Sequence, residues 1–274
     1  CISSVFNSNM QSAQIFAVDM ASSDNSVSVI KERFGSQISL TCCNEDLGSC
    51  GGLNIGIRQA LDAGCDYVCC LGEAVTVEPT ALHIMMRFMQ SHPHVGMTGA
   101  KVYHGHMPHY IQQFGISIDF KNFRANTLYA DCPDSFDIPS EVYCDAVSAC
   151  AMMVSTAAIR TVGLMPDDNF LYWDDMEWGF LMKQAGFEVA VLSDAKMYHS
   201  ANPMRRCDNT KVNYYLTRNC LNFFMKYTHP EKCTRMSIVL LRSIFESFYL
   251  HRMGHAHNMA QSDLAAMTDA IYGL

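Results

Sequence analysis

Residues 37–71 read QISLTCCNEDLGSCGGLNIGIRQALDAGCDYVCCL, and the class of the fold follows from them. Gln37–Cys42 is a short run with β-branched and apolar members, the composition of a strand. Leu47–Gly52 (LGSCGG) is glycine-rich and reads as a flexible loop. Leu53–Ala63 then sets Ile55, Ile57, Ala60 and Leu61 at helical spacing, and Gly64 stops that helix. Asp66–Leu71 (DYVCCL) is an apolar run of strand length, read as a buried strand. Strand, helix, strand in this order is the signature of an α/β sheet with parallel strands, because a parallel pair needs a crossover between its members.

Reading outward, the same alternation continues on both sides. Gln14–Asp19 (QIFAVD) reads as a strand, and Asp24 or Ser26 can cap a helix that runs to about Phe34. Pro79–Gln90 reads as a helix with proline near its first turn, and Val95–Tyr103 as a strand. The expected fold class is therefore α/β with mostly parallel strands, in which ligands bind beyond the carboxyl ends of the strands. Those ends are Asp19, the Glu45–Gly52 loop and Leu71–Ala74. From His104 to Ser140 the pattern loosens into loops. Tyr143–Val154, a helix near Thr156–Val162, a helix Asp174–Ala185 and a strand Glu188–Leu192 follow. Beyond Asp208 the chain reads as helical, over Asn209–Tyr227, Lys232–Arg252 and Met259–Tyr272. The expected division is a sheet domain over residues 1–205 and a helical region over 206–274.

Composition agrees with a chain that packs a core. Of 274 residues, 49% are hydrophobic and 17% charged, which excludes intrinsic disorder. The net charge of −8 argues against nucleic-acid binding by charge. None of the 13 cysteines stands in a C-x-x-C pair, so zinc-ribbon and thioredoxin spacings are absent. Cys42–Cys43 and Cys69–Cys70 read as small buried thiols, and a reducing cytosol is the expected compartment. No apolar run is long enough for a membrane span. The chain opens at Cys1, in mid-pattern and with no signal peptide, and a truncated N-terminus is expected.

Four groups of residues could carry chemistry. Asp19 ends a strand, where its carboxylate can accept a hydrogen bond from a base or sugar; closing the loop is its plainer role. Asp46-Leu47-Gly48-Ser49-Cys50-Gly51-Gly52-Leu53-Asn54 brings backbone N–H groups and a helix start to a diphosphate, without the spacing of a P-loop. Residues 163–179 (GLMPDDNFLYWDDMEWG) crowd Asp174, Asp175 and Glu177 between Trp173 and Trp178. Like charges so close, in a partly apolar surround, raise at least one pKa, as a general base requires; a solvated helix N-terminus also favours acids. Lastly, His199 follows a strand, a metal-ligand position only if a carboxylate joins it.

In order and spacing these segments resemble the GT-A fold glycosyltransferases of family 2. The nearest branch looks like the rhamnosyl- and galactofuranosyl-transferases of bacterial polysaccharide synthesis. The resemblance rests on residues 18–24 (VDMASSD), 46–57 (DLGSCGGLNIGI), 66–79 (DYVCCLGEAVTVEP), 145–163 (DAVSACAMMVSTAAIRTVG), 170–186 (FLYWDDMEWGFLMKQAG), Tyr198-His199 and 214–219 (YYLTRN).

The resemblance implies a GT-A nucleotide-binding mixed sheet flanked by helices, with a helical C-terminal extension. It also implies roles. Asp19 would contact the nucleotide base, and Asp46, Gly48, Gly51, Gly52 and Asn54 would lie along the donor. Asp175 would be the general base, with Asp174 and Glu177 orienting it or the acceptor, and Trp173 and Trp178 would line the acceptor side. His199 with Glu73 would hold a divalent Mg²⁺ or Mn²⁺. The implied partners are a nucleotide-sugar donor and a glycan or lipid-linked acceptor.

Two departures stand out. The family's acidic metal motif falls on Gly72-Glu73-Ala74, with alanine where its metal-binding aspartate is expected. The family's first, central strand has no counterpart, and an unpaired central edge would be sticky. The degenerate motif keeps a non-catalytic glycan- or partner-binding module in view, whereas a carboxylate-pair glycoside hydrolase leaves the glycine segment and Tyr198-His199 unexplained. Residues 235–252 form a basic amphipathic pattern. It fits peripheral contact with the inner face of a membrane, packing on the sheet domain, or a homo-oligomer.

Overall fold

A computed structural model of the protein describes residues 1–10, 12–135, 137–200, 210–229 and 265–270. Its elements run, in chain order, α1 Ile2–Phe6, β1 Phe16–Met20, α2 Ser26–Phe34, β2 Ser39–Cys43, α3 Gly48–Asp62, β3 Tyr67–Leu71, β4 Val75–Val77 and α4 Ala81–Ser91. There follow β5 Val95–His104, β6 Met107–Gln113, β7 Ile116–Asp119, β8 Arg124–Thr127, β9 Glu141–Cys144, β10 Ala151–Ser155, α5 Thr156–Val162, α6 Asp174–Gln184, β11 Glu188–His199 and α7 Thr210–Tyr227. Residues 265–270 are helical.

The expected α/β class is what forms. The main sheet has seven strands in the order β3-β10-β5-β11-β4, with β6 on β5 and β9 on β11. Strands β5 and β11 pair in parallel, and β10 lies antiparallel between β3 and β5, so β3, β5 and β11 share one direction. Strands β1 and β2 form a parallel two-stranded sheet of their own, and β7 pairs with β8.

Burial explains why the central strands are apolar throughout. Strand β10 sends Met152 and Val154 into one core layer and Ala151 and Met153 into the other, the period of a strand covered on both faces. The first layer holds Ile57 of α3, Ile159 of α5, and Trp178 and Met182 of α6. The second holds Leu82, Met85 and Met89 of α4 with Val75, Val77 and Met197. At the start of α5, Ser155 accepts a hydrogen bond from the Ala158 N–H at 3.2 Å, an N-cap that stabilises a helix by about 1 kcal/mol.

Several elements differ from the sequence expectation. Residues 48–52 are the first turns of α3, not a flexible loop. The Asp46 carboxylate accepts from the Gly48 N–H and the Phe170 carbonyl from the Ser49 N–H, so acceptors supplied from outside the helix offset the low helix propensity of glycine. The loosely patterned 104–140 region contains β6, β7 and β8. Tyr143–Val154 is two strands broken between Cys144 and Ala151, and β11 runs on past Leu192 to His199 through an irregular step. Cys42 is exposed rather than buried, and among the described residues all the cysteines are free thiols.

The chain divides into two compact units. The first is Cys1–Ser117, Thr127–Phe170 and Asp174–Ala201; the second is Ile118–Asn126, Leu171–Trp173 and Asn202–Leu274. In the second unit, Trp173, Phe120, Phe123, Phe223 and Phe224 pack ring against ring with centroids 5.3–5.8 Å apart. There the buried Asn219 amide donates to the carbonyls of Leu171 and Tyr172 at 2.7 and 3.0 Å. The basic pattern at 235–252 lies outside the described residues. Among the described residues no helix is long and apolar enough to cross a membrane.

Candidate active site

The start of α3 is fastened to the segment that leads into α6. Gly48 has φ +74°, and a Cβ there would lie 2.0 Å from the Phe170 carbonyl oxygen, so only glycine fits. Next along the helix, the Ser49 N–H donates to that same carbonyl at 2.9 Å. Cys50 Sγ donates to the Pro166 carbonyl at 2.9 Å, and burial pushes its thiol pKa up. One turn later Asn54, almost fully buried, grips Met165 at two points: Nδ2 donates to its carbonyl at 2.8 Å and Oδ1 accepts from its N–H at 3.1 Å. Asn54, read from sequence as a donor contact, thus spends its amide on Met165.

Asp19 is the penultimate residue of β1, and its carboxylate accepts from the Ser22 N–H at 3.2 Å. It reaches α3 through Met20, whose sulfur lies 2.6 Å from where a Cβ on Gly52 would be.

Helix α6 carries two of its three acids on its inner face, with Asp175 half-buried. Asp174, Glu177, Trp178 and Met182 are all buried, an i, i+3, i+4, i+8 pattern in which the carboxylates share the stripe of the core residues. Asp174 is 3% exposed and accepts from the Ser49 hydroxyl at 3.1 Å. Burial first, and the neighbouring Asp175 charge second, push its pKa up to about 7. Asp175 accepts from the Ala149 N–H at 3.1 Å, and Glu177 from the Asn169 side-chain amide at 3.3 Å. The backbone just before the helix is strained, with φ of +61°, +67° and +71° at Phe170, Tyr172 and Trp173, a conformation that costs bulky side chains about 1 kcal/mol or more each.

Trp178, expected on an acceptor face, is wholly buried, and its indole N–H donates to the Gly163 carbonyl at 3.1 Å. Trp173, also expected there, belongs to the aromatic cluster of the second unit.

His199 ends β11 between two strands. It pairs with Val75 of β4 on one side and His104 of β5 on the other. The Ser200 N–H donates to the Ala74 carbonyl at 2.9 Å, while the Gly72 N–H donates to the Cys150 carbonyl at 3.1 Å. Gly72-Glu73-Ala74 is therefore tied on one side to the residue beside Ala149, on which Asp175 rests, and on the other to the residue after His199.

The donors at this corner do not fit a divalent ion. Ala74 offers only a methyl group and has its carbonyl engaged. Glu73 is exposed, and His199 Nδ1 is hydrogen-bonded to Gln112 Oε1 at 2.9 Å. Magnesium and manganese need several hard oxygen ligands, and no group of three histidine, cysteine or acidic side chains able to hold a metal occurs among the described residues.

Ser49, Ala149, Asn169 and Gln112 join this site without having been singled out in the sequence. Ser49, Ala149 and Gln112 act across the chain, Ser49 on a residue 125 positions away, whereas Asn169 acts locally on Glu177. The one available signal was the placement of Ser49 inside the glycine segment.

Comparison with known proteins fits this architecture. Three solved structures, each 11% identical, share the fold. GalNAc-T7, crystallised with UDP, GalNAc and Mn²⁺, superposes with TM-score 0.61 over 80% of this chain and 44% of its own. S. aureus TarS gives 0.52 over 96% and 52%. The mannosyltransferase PcManGT from Pyrobaculum calidifontis, in complex with GDP-Man and Mn²⁺, gives 0.59 over 99% and 82%. The chain thus spans about half the length of the first two. No curated protein matches it by sequence. The family model described as glycosyl transferase family 2 matches residues 1–140, just over half of the 274 residues, and the chain belongs to that family.

Proposed function

We propose that the chain is an inverting glycosyltransferase. In this reading it moves a sugar from a nucleotide-linked donor to a hydroxyl of a growing polysaccharide or lipid-linked glycan. A UDP- or dTDP-linked galactofuranose or rhamnose is the donor class of the branch its sequence resembles. The observation that carries the reading is the Ser49–Asp174 hydrogen bond, because it brings the glycine-rich helix start and the acid cluster of α6 to one point. Residues 1–205 would hold the catalytic machinery and 206–274 its helical extension.

The chemistry follows from the residues. The Asp175 carboxylate takes the proton of the acceptor hydroxyl. The acceptor oxygen forms a bond to the anomeric carbon as the bond from that carbon to the diphosphate oxygen breaks. The electron pair leaves with the nucleoside diphosphate, and attack from the opposite face inverts the configuration. Asp174 and Glu177 hold the base in place through Ser49 and Asn169. Asp19 meets the nucleotide base, and the Asp46–Gly52 segment flanks the diphosphate, where the α3 N-terminus favours negative charge. Holding donor and acceptor in line supplies the entropic part of the rate.

Asp175→Asn tests this. With nucleotide sugars screened against glycan acceptors, transfer should fall by about 100-fold or more while donor affinity by calorimetry stays within about threefold. Retained transfer would remove Asp175 as the base.

One observation favours a second reading. The metal motif ends in Ala74, as a non-catalytic glycan- or partner-binding module would tolerate. Calorimetry with UDP and dTDP, with and without Mn²⁺, separates the two. Nucleotide binding supports the enzyme, and its absence supports the module.

A further inference from the structure

Residues 48, 49, 50 and 54 of α3 lock in turn onto 170, 174, 166 and 165. Gly48 does so by close approach, and Cys50 and Asn54 reach main-chain atoms. Ser49 alone among these four extends a side chain to an acid of α6. Its backbone is already fixed by the bond to Phe170, so the hydroxyl has a defined origin from which to donate to Asp174 Oδ2 at 3.1 Å. Asp174 stands immediately before Asp175 at the start of α6.

We propose that Ser49 is a positioning residue for the acid pair: its hydroxyl holds the Asp174 carboxylate against the start of α3, and through Asp174 it sets how readily Asp175 accepts a proton. The proposal rests on the transferase reading above and deepens it, since it makes the donor-side helix part of the machinery that moves the acceptor proton.

The physical argument is one of charge. Asp174 is shut away from water, so its charged form depends on donors within the protein. The Ser49 hydroxyl and the backbone N–H groups of Asp174 and Asp175 stabilise the anion, against burial and the Asp175 charge. Two further titratable side chains bear on it: Cys50 of α3, whose thiol burial keeps protonated and which Asp167 and Cys70 also face, and Glu177 one turn further along α6. An anionic Asp174 makes Asp175 a stronger base than a protonated Asp174 does, by like-charge repulsion. Without the hydroxyl, Asp174 keeps its proton to higher pH and Asp175 becomes a weaker base at a given pH.

The test uses Ser49→Ala and Ser49→Thr in the full chain, with Asp174→Asn to assign the resonance. Carbon-13 labelling of aspartate side chains lets NMR follow the Asp174 carboxyl directly. In Ser49→Ala its midpoint should rise by roughly half to one pH unit, and the acidic limb of the kcat profile should move up with it. Donor KM should change less than about twofold, and Ser49→Thr, which keeps the hydroxyl, should restore both. If Ser49→Ala is unfolded, Ser49→Cys, with its weaker donor, should give an intermediate rise. An unmoved Asp174 midpoint, or a loss of activity uniform across pH, would reduce Ser49 to packing and overturn the proposal. The NMR arm needs no turnover, so an absence of transfer by the wild type would count against the transferase reading and leave the Ser49 tie to be judged on its own titration.

Discussion

At residue scale, two single positions set what this site can do. Asp174 keeps a carboxyl group in a nearly waterless place, and Ala74 puts a methyl group where the sequence resemblance implies a metal-binding aspartate. The second point yields a direct test. The Ser200 N–H donates to the carbonyl of Ala74, and His199 pairs with Val75, so position 74 lies in the chain between Glu73 and the residue that pairs with His199. Ala74→Asp should therefore make UDP or GDP binding at least about tenfold tighter with Mn²⁺ than with EDTA, or about 1.4 kcal/mol. The wild type should differ less than about twofold between the two. An equal response from both proteins would mean that position 74 does not face the diphosphate. Much at this scale was readable beforehand. The crowding of Asp174, Asp175 and Glu177 predicted a raised pKa, and Asp174 has it. The tryptophans were misread because an aromatic residue beside acids looks the same in sequence whether it faces a ligand or a core. The helical spacing of Trp178 and Met182 was the better clue.

At element scale, the alternation of strands and helices was legible because each buried face repeats with its own period. The glycine segment was not. Whether glycines coil or wind into a helix depends on which acceptors meet their N–H groups, and here these come from Asp46 and from Phe170 far along the chain. The short edge strands β6 to β8 were equally hidden, since exposed strands carry little apolar signal. Helix α3 gives this scale its prediction. Asn54 satisfies both main-chain groups of Met165 in a dry place. Asn54→Ala leaves that N–H buried without a partner and the carbonyl with only the weak Cys50 thiol donor at 3.6 Å, and should cost about 3 kcal/mol by urea unfolding. Asn44→Ala, on an exposed position just before α3, should cost less than about 0.5 kcal/mol. Similar values for the two would mean that the grip on Met165 does not matter.

At the scale of the whole molecule, two carboxyls, Asp174 buried and Asp134 at the surface, give the stability curve opposite slopes. Lys101 Nζ and the Tyr103 hydroxyl donate to Asp134 at 2.8 and 2.6 Å. Burial works against the Asp134 charge, but these bonds outweigh it and hold the carboxyl below its ordinary 3.8. The stability it adds is present above about pH 4 and is lost as pH falls through its folded value. Asp174 runs the other way. Its folded pKa of about 7 stands above 3.8, so between roughly pH 4 and 7 the folded state keeps a proton that the unfolded chain has released, and stability declines as pH rises through that window. The wild type should therefore be most stable in mild acid. Asp174→Asn should remove the decline and gain on the order of 3 kcal/mol over the wild type at about pH 8, with little difference at about pH 4.5. Both carboxyls belong to the first unit, whose core holds Trp178, while Trp173 belongs to the second. In a Trp173→Phe background, the fluorescence of Trp178 reports the unit in which the protons move. Its urea midpoint should fall between pH 4.5 and 8 when Asp174 is present and stay level when it is replaced. A midpoint that falls equally in both would mean that Asp174 is charged throughout this range and solvated well enough to remain so.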